Sequence, residues 1–372
     1  MISRLIQKLS KRENHGAAIS IKTLQSVDDL VEAGLLAPAR AAALRAVEAR
    51  YSVAVTGEIA ALIDQGDPSD PIARQFLPDA RELATLDFER ADPIGDDAHS
   101  PLPGLVHRYP DRVLLKLLTV CPVYCRFCFR RETVGRGKGE ILPEAALAAA
   151  LDYIAGRPEI FEVILTGGDP LMLSARRLRA VSERLAHIPH VALLRVHTRA
   201  PTAAPELVTD DRLEALGASG KALHVVLHVN HAKELTENAR AAIARLHRAG
   251  ASLLAQTVLL KGVNDDADTL EALMRALVAL RIKPYYLHHP DLAPGTAHFR
   301  PSLEAGRRLH AELARRLSGL ALPNYVLDIP GGFGKIPLAD AHVSLGADGG
   351  WRIVDRAGRS HSYPRQSYPR EA

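Results

Sequence analysis

The three cysteines of this chain lie within eight consecutive residues, and this clustering constrains the protein more than any other feature of its sequence. Cys121, Cys125 and Cys128 are spaced C-x3-C-x2-C directly after the apolar run 113–120. A disulfide framework would use an even number of cysteines, and a structural zinc site would need a fourth ligand at zinc-finger spacing. Three thiolates on one tight loop instead suit a four-iron cluster that leaves one iron open to a small molecule.

Composition argues against several other classes of protein. The 372 residues carry 47 Lys and Arg against 43 Asp and Glu, and no basic run interleaved with aromatic residues predicts nucleic-acid binding. No apolar stretch approaches the roughly 20 residues of a membrane helix, and the N-terminus shows no secretory signal. Cysteines that stay reduced for metal binding favour a cytoplasmic protein.

Apolar runs alternate with helical patterns from about residue 110 to residue 317. The candidate strands are 113–119, 161–166, 192–198, 222–228, 252–260 and 284–288, and the candidate helices are 143–155, 174–186, 210–216, 236–249, 266–280 and 303–317. Six strand–helix units of this kind predict an α/β fold with a parallel sheet, and continuous apolar strands favour a closed or nearly closed barrel. Active-site residues are then expected on the loops after the strands.

We divide the chain into three parts. Residues 1–104 are an N-terminal segment with helices at 27–33, 37–51 and 56–64, an irregular stretch after them, and an expected contact with the main domain. Residues 105–320 are the barrel core. Residues 321–372 are a C-terminal segment with a Gly/Pro-rich loop and a hairpin of 343–345 with 351–354. We expect the first 20 residues and the final Tyr-Pro repeats to be loose.

A Gly-Gly-Asp sequence ends the second candidate strand. Gly167 and Gly168 let the backbone approach a ligand closely, and Asp169 can accept a hydrogen bond from an ammonium group. Such a sequence is usually only a turn when it stands alone. Its position one unit after the cysteine loop makes it a candidate binding element.

Lys335 follows the glycines of the C-terminal loop. A lone lysine is nearly always a solvated surface charge, but a lysine beside a Gly-rich loop can reach a flat cofactor. Pyridoxal 5'-phosphate (PLP) needs such a lysine and cationic groups for its phosphate. Arg108 and Arg112, just before the first candidate strand, could supply those groups.

The cysteine motif, with Phe127 before its last cysteine, resembles the signature of the radical S-adenosylmethionine (SAM) enzymes. From about residue 100 to 340 the chain is similar to the lysine 2,3-aminomutase family, in the stretches HRYPDRVLL, CPVYCRFCFRR, LTGGDPL, RVHTRAP, HVNHAKE, QTVLLKGVND, KPYYLHHPDLAPGTAHF and LDIPGGFGKIP. The resemblance implies a crescent-like, partial (β/α)6 barrel of TIM type. It also implies a [4Fe–4S] cluster, SAM and PLP as cofactors.

The same resemblance implies cofactor-binding roles for residues in the matching stretches. Lys335 forms the internal aldimine with PLP, and Arg108 and Arg112 fall in the region that contacts the phosphate. The cluster ligands are Cys121, Cys125 and Cys128, and the strand end that binds the amino group of SAM comprises Gly167, Gly168 and Asp169. Gln256, His228 and Asn230 sit on strand ends that face the cofactors.

Arg130 matches the residue that holds the substrate carboxylate in the family, and Asp291 and Asp328 match the pair that holds the distal ammonium of lysine. Two carboxylates complement an amino acid with a cationic end, because a buried ammonium needs compensating negative charge. The implied reaction starts from a 5'-deoxyadenosyl radical, which removes hydrogen from C3 of L-lysine. The amino group then moves from C2 to C3 and gives β-lysine.

Several alternatives stay open at the level of sequence. A relative with the same cofactors could act on another amino acid, and the chain also resembles the branch that makes β-lysine for elongation factor P. A non-enzymatic iron–sulfur redox sensor and a zinc-binding interaction module are rivals from other classes. An enzyme would need a reducing partner such as flavodoxin or ferredoxin. The extra cysteines that bind zinc at a subunit contact in some relatives are missing, so the oligomeric state is open.

Overall fold

The computed structural model describes residues 23–135, 140–339, 343–345, 351–355 and 359–363. The N-terminal helices are α1 (Val27–Glu32), α2 (Pro38–Arg50), α3 (Gly57–Ala60) and α4 (Pro71–Phe76). A capping box formed by Ser26 and Asp29 begins α1. The helix predicted for 56–64 ends at Ala60, because the chain then turns and packs Leu62 and Ile63 against the N-terminal core.

These helices bury an apolar core of their own, which includes Leu30, Leu44 and Phe76. Val123 of the cysteine loop belongs to the same core. The N-terminal segment therefore packs directly on the cysteine loop and forms part of its surroundings.

A nine-stranded sheet, with its strands in chain order, forms the centre of the described residues. Its strands are β1 (Leu105–Tyr109), β2 (Arg112–Leu118), β3 (Glu162–Gly167), β4 (Leu193–Thr198), β5 (Ala222–His228), β6 (Ser252–Val258), β7 (Lys283–His288), β8 (Asn324–Asp328) and β9 (Lys335–Pro337). Strands β2 to β8 are parallel, and β1 and β9 are antiparallel edges. The order runs from one edge to the other without closing, so these strands form a partial barrel.

Helices cross from each parallel strand to the next and cover the barrel. They are α5 (Glu144–Ala155), α6 (Ala175–Ala186), α7 (Ala200–Ala203), α8 (Asp210–Gly217), α9 (Glu237–Arg248), α10 (Ala267–Ala279) and α11 (Leu303–Arg316). In α6 the buried residues Leu178, Val181 and Leu185 recur at helical spacing and face the sheet. All six predicted strand–helix units are confirmed, and β8 adds a seventh parallel strand that the sequence analysis did not assign.

The C-terminal part contains a small antiparallel sheet of β10 (Val343–Leu345), β11 (Trp351–Val354) and β12 (Ser360–Tyr363). The predicted β10–β11 hairpin is confirmed, and β12 is an additional strand. The first 20 residues and the chain after Tyr363, both predicted to be loose, lie outside the described residues. Among the described residues, none of the helices combines the length and the apolar character of a membrane span.

Candidate active site

A cavity of about 830 Å³ runs through the barrel from the cysteine loop to the starts of the strands. Its lining brings together predicted residues from seven separate stretches of the chain. They are Arg108, Arg112, Cys121, Cys125, Cys128, Arg130, Gly167, Gly168, Asp169, His228, Gln256, Asp291, Asp328 and Lys335. Asn230 is the exception, since it is buried behind the wall, where it donates to Gln75 and accepts from the N–H of Val258.

The three cysteine thiols meet at one end of this cavity. Burial raises the pKa of all three, to about 11 for Cys128, and the charge of Asp169 raises that of Cys121 further. Thiolates in such surroundings need a cationic partner, and iron supplies one. No group of three described residues has the spacing for a single metal ion, but a four-iron cluster does not need one, because each thiolate binds a different iron. The donor set therefore fits a cluster.

The N-terminal segment holds the cysteine loop through a buried carboxylate. Glu82 accepts hydrogen bonds from Arg126, at 2.6–3.1 Å, and from Arg131. Arg126 also donates to the backbone carbonyl of Ser52 at 2.8 Å, and its own N–H donates to the carbonyl of Gln75. Glu82 was not predicted from the sequence, because it lies in a stretch without periodicity and is 44 and 49 residues away from its two partners.

The Gly-Gly-Asp sequence is joined to the cysteine loop by backbone hydrogen bonds. The N–H groups of Gly168 and Asp169 donate to the carbonyls of Leu118 and Val120 at 2.6 and 2.8 Å. A Cβ atom on Gly168 would lie 2.1 Å from the Val120 carbonyl oxygen, so the close approach requires glycine.

The Asp169 carboxylate serves a neighbouring loop. It accepts hydrogen bonds from the Thr198 hydroxyl and from the N–H groups of Leu171 and Arg199, at 2.8–3.0 Å. Burial nevertheless raises its pKa. This side chain therefore ties the ends of β3 and β4 together, a function that the sequence did not indicate.

Lys335 begins β9 and points into the middle of the cavity. Its ammonium contacts the Asp328 carboxylate and lies 3.4 Å from Nδ1 of His288 and 5.4 Å from the ring centre of Tyr286. Burial, and then the charge of Lys335, lower the pKa of His288 well below its usual value. A neutral imidazole and an aromatic ring beside a lysine amine fit an aromatic aldehyde cofactor such as PLP.

Two carboxylates, Asp291 and Asp328, and two arginines, Arg108 and Arg130, are among the charged residues of the cavity wall. Burial and the charge of Asp328 raise the pKa of Asp291 to about 7. Arg130 donates to Asp96 at 2.9 and 3.1 Å, and Arg108 lies 3.1 Å from Asp96 and 3.7 Å from Asp328. Burial alone would raise the pKa of Asp96, but the charges of Arg130, Lys116 and Arg108 hold it below its ordinary value.

Comparison with known proteins identifies the family. The radical SAM superfamily model matches residues 115–274. The L-lysine 2,3-aminomutase of Clostridium subterminale is 38% identical over 78% of this chain and 70% of its own, and that of Escherichia coli strain K12 is 39% identical over 74% and 80%. The L-lysine 2,3-aminomutase of Fusobacterium nucleatum is 36% identical over 86% and 75%. The chain belongs to the lysine 2,3-aminomutase family.

A solved radical SAM methyltransferase from Sphaerobacter thermophilus aligns with 60% of this chain and 68% of its own, at 22% identity and a TM-score of 0.42. That likeness is too low to bear on the site. The resemblance seen in the sequence of this aminomutase-family protein is thus confirmed by the curated relatives.

The cavity wall of this family member also contains Tyr285, Tyr286 and Arg195, which were not singled out from the sequence. A β-bulge opposite Gln256 turns both Tyr285 and Tyr286 into the cavity, where their hydroxyls share a hydrogen bond of 2.8 Å. Arg195 lies near them and pairs with Glu162 at 2.9 Å. The alternation of polar and apolar residues along one strand predicts neither a β-bulge nor an ion pair between neighbouring strands.

Orphaned nitrogen atoms in the cavity wall indicate a bound group. Nε2 of His197 and Nε2 of His228 are buried and have no hydrogen-bond partner in the described part of the chain, and the same holds for Nε of Arg108. Buried polar atoms of this kind normally have a partner, so a ligand that supplies one fits the cavity.

Proposed function

We propose that this protein is a radical SAM, PLP-dependent isomerase that moves the α-amino group of L-lysine from C2 to C3 to give β-lysine. One observation carries the proposal: three cysteines, a Gly-loop lysine and a pair of carboxylates line a single cavity inside a partial barrel. Cys121, Cys125 and Cys128 would hold the cluster, and Lys335 would hold PLP. When bound, the cofactors supply the radical and the electron-delocalising ring on which the amino group migrates.

The protein's own residues bind and orient the substrate in this proposal. Arg130 binds the α-carboxylate, and Asp96 fixes the direction of its guanidinium group. Asp291 and Asp328 bind the distal ammonium, because both face the cavity and carry the opposite charge when they are ionised. The barrel walls exclude water from the reacting atoms, which protects a radical from side reactions.

Arginines near the starts of the strands would bind the PLP phosphate. Arg112 lines the cavity, where its guanidinium lies 3.9 Å from the Tyr109 ring centre and its Nη1 pairs with Asp111 at 2.7 Å. Arg108 pairs with Asp96 and Asp328, and Arg195 pairs with Glu162. Both arginines also line the cavity, so we add Arg195 as a candidate beside Arg108. Gly167, Gly168 and Gln256 would contact SAM. Asp169 lines the same cavity and shapes their loop, and we propose it as the partner of the SAM amino group.

The test is anaerobic. The protein is reconstituted with iron, sulfide and PLP, reduced, supplied with SAM and L-lysine, and analysed for β-lysine by mass spectrometry. We expect β-lysine from the wild type and none from Cys125→Ala or Lys335→Ala. SAM cleavage without β-lysine would instead favour an aminomutase of this family for another amino acid, which a panel of amino acids would identify. A protein with an intact cluster and no SAM cleavage would favour the redox sensor.

The cellular setting follows from the same chemistry. We propose a cytoplasmic location and a low-potential donor of the flavodoxin or ferredoxin type, since the cluster must be reduced before it can cleave SAM.

We also propose the division at residues 104 and 320 into N-terminal segment, barrel and C-terminal segment. Sedimentation of the reconstituted protein would determine whether it is a homo-oligomer.

A further inference from the structure

Arg199 is a buried arginine that contacts one of the cysteines. It follows β4, is 6% exposed, and its Nη1 donates a hydrogen bond to Sγ of Cys125 at 3.3 Å. The role proposed for the cavity above does not use this contact. A cation that contacts a cluster ligand interacts directly with the negative charge that the cluster gains on reduction.

The guanidinium group of Arg199 is held in one place. Its Nη2 donates to Glu234 at 2.7 Å and to Gln75 at 2.8 Å, and the ring centres of Phe76 and Phe127 lie 4.6 and 5.7 Å away. Glu234 and Gln75 are themselves fully buried. Because each partner is fixed, the N–H group that points at Cys125 cannot turn away to solvent.

We propose that Arg199 raises the reduction potential of the cluster bound by Cys121, Cys125 and Cys128. Reduction adds one electron, taken from an external one-electron donor, and no bond is made or broken. The added negative charge spreads onto the cysteine sulfurs, and hydrogen bonds to those sulfurs set the potential. A charged donor therefore stabilises the reduced form more than the oxidised form.

Glu234 opposes this effect. Its carboxylate pairs with Arg199 and also accepts from the N–H groups of Asn230 and His231 at 2.9 and 3.0 Å. It cancels part of the positive charge beside the thiolate. The two residues should thus move the potential in opposite directions, which a role limited to packing would not do.

The inference rests on the proposed cluster site, and the experiment separates the two. Reconstituted protein without SAM is titrated anaerobically with dithionite, and reduced cluster is counted by electron paramagnetic resonance. Iron and sulfide content and visible absorbance test the cluster itself. The midpoint potential of protein that carries a full cluster then tests the proposed effect of Arg199.

We expect Arg199→Met to lower the potential, so that at the wild-type midpoint the ratio of reduced to oxidised cluster falls about tenfold, as loss of one charged hydrogen bond implies. Arg199→Lys keeps the positive charge, so its midpoint potential should lie between those of the wild type and Arg199→Met. The matched control is Arg245→Met, because Arg245 on α9 donates to the carbonyls of Pro205 and Val208 in the connection between α7 and α8. Its potential should equal that of the wild type.

Glu234→Gln provides an independent result if Arg199→Met loads too little iron to titrate. It should raise the potential, because it removes a negative charge beside Arg199. Wild-type potentials in the fully loaded Arg199→Lys and Glu234→Gln variants would overturn the proposal, as would shifts in the same direction for the Arg199 and Glu234 variants.

Discussion

The ammonium of Lys335 contacts the carboxylate of Asp328, and the two residues are direct partners in the antiparallel β8–β9 pair. The residue proposed to carry PLP and one residue proposed to bind the substrate are therefore linked. If Lys335 held PLP, its amine would offer fewer N–H donors to Asp328. That carboxylate would then be free to pair with another ammonium, such as the one at the end of a lysine substrate.

Asp328→Asn should lower the catalytic activity of the protein with lysine as the substrate. Truncating one partner of a buried charge pair costs about 2–5 kcal/mol, so we expect kcat/KM for lysine to fall by roughly 30-fold or more. Borohydride trapping of PLP on Lys335 measures whether the lysine still reacts in the variant. Asp152→Asn, an exposed aspartate paired with Arg184, serves as the control and should keep the wild-type value. Full lysine activity in Asp328→Asn would show that another group binds the ammonium.

The activity should depend on pH through Asp291. Its pKa is raised to about 7 by burial and by the charge of Asp328, so it is neutral below that pH and charged above it. Since only the charged form attracts the lysine ammonium, kcat/KM should fall as pH drops through about 7. Asp291→Asn should remove this inflection, and Asp328→Asn should move it to lower pH. An inflection at the same pH in all three proteins would assign it to a different group.

Much of the barrel is predictable from the sequence because its determinants are local. The apolar run before Cys121 and the turn at Gly167 and Gly168 each mark the end of a strand, and parallel strands end at the same edge. That rule alone brings the cysteine loop and the Gly-Gly-Asp turn together. The position of Lys335 inside the cavity follows from its Gly-rich loop and from pairing with β8.

The residues that the sequence analysis missed depend on contacts between distant parts of the chain. Asp96 is one of several aspartates in an irregular stretch, and only the fold shows that it binds Arg130 and Arg108. The bulge at Tyr285 depends on the register between β6 and β7, which alternation along one strand does not encode. Such counter-ions and register shifts are set by three-dimensional packing.

Glu82 should be essential for the stability of the cysteine loop. It is fully buried between Arg126 and Arg131, and breaking a buried pair by removing one charge costs about 3–5 kcal/mol. Glu82→Gln should lower the unfolding temperature and the iron retained after reconstitution. Glu271→Gln removes a surface glutamate paired with Arg275 and should change stability by about 1 kcal/mol or less. Equal effects of the two substitutions, measured by thermal unfolding, would refute the anchoring role.

Gly168→Ala should damage the junction between the Gly-Gly-Asp turn and the cysteine loop. The new methyl group would lie 2.1 Å from the Val120 carbonyl oxygen, and backbone on both sides must move to relieve the contact. Because Val120 directly precedes Cys121, we expect lower iron content after reconstitution and weaker SAM binding by equilibrium dialysis. Gly217→Ala is the matched control, since a Cβ atom at the end of α8 meets nothing within 4 Å. If Gly168→Ala loads iron and binds SAM as well as Gly217→Ala does, the close approach of the two loops is not needed for cofactor binding.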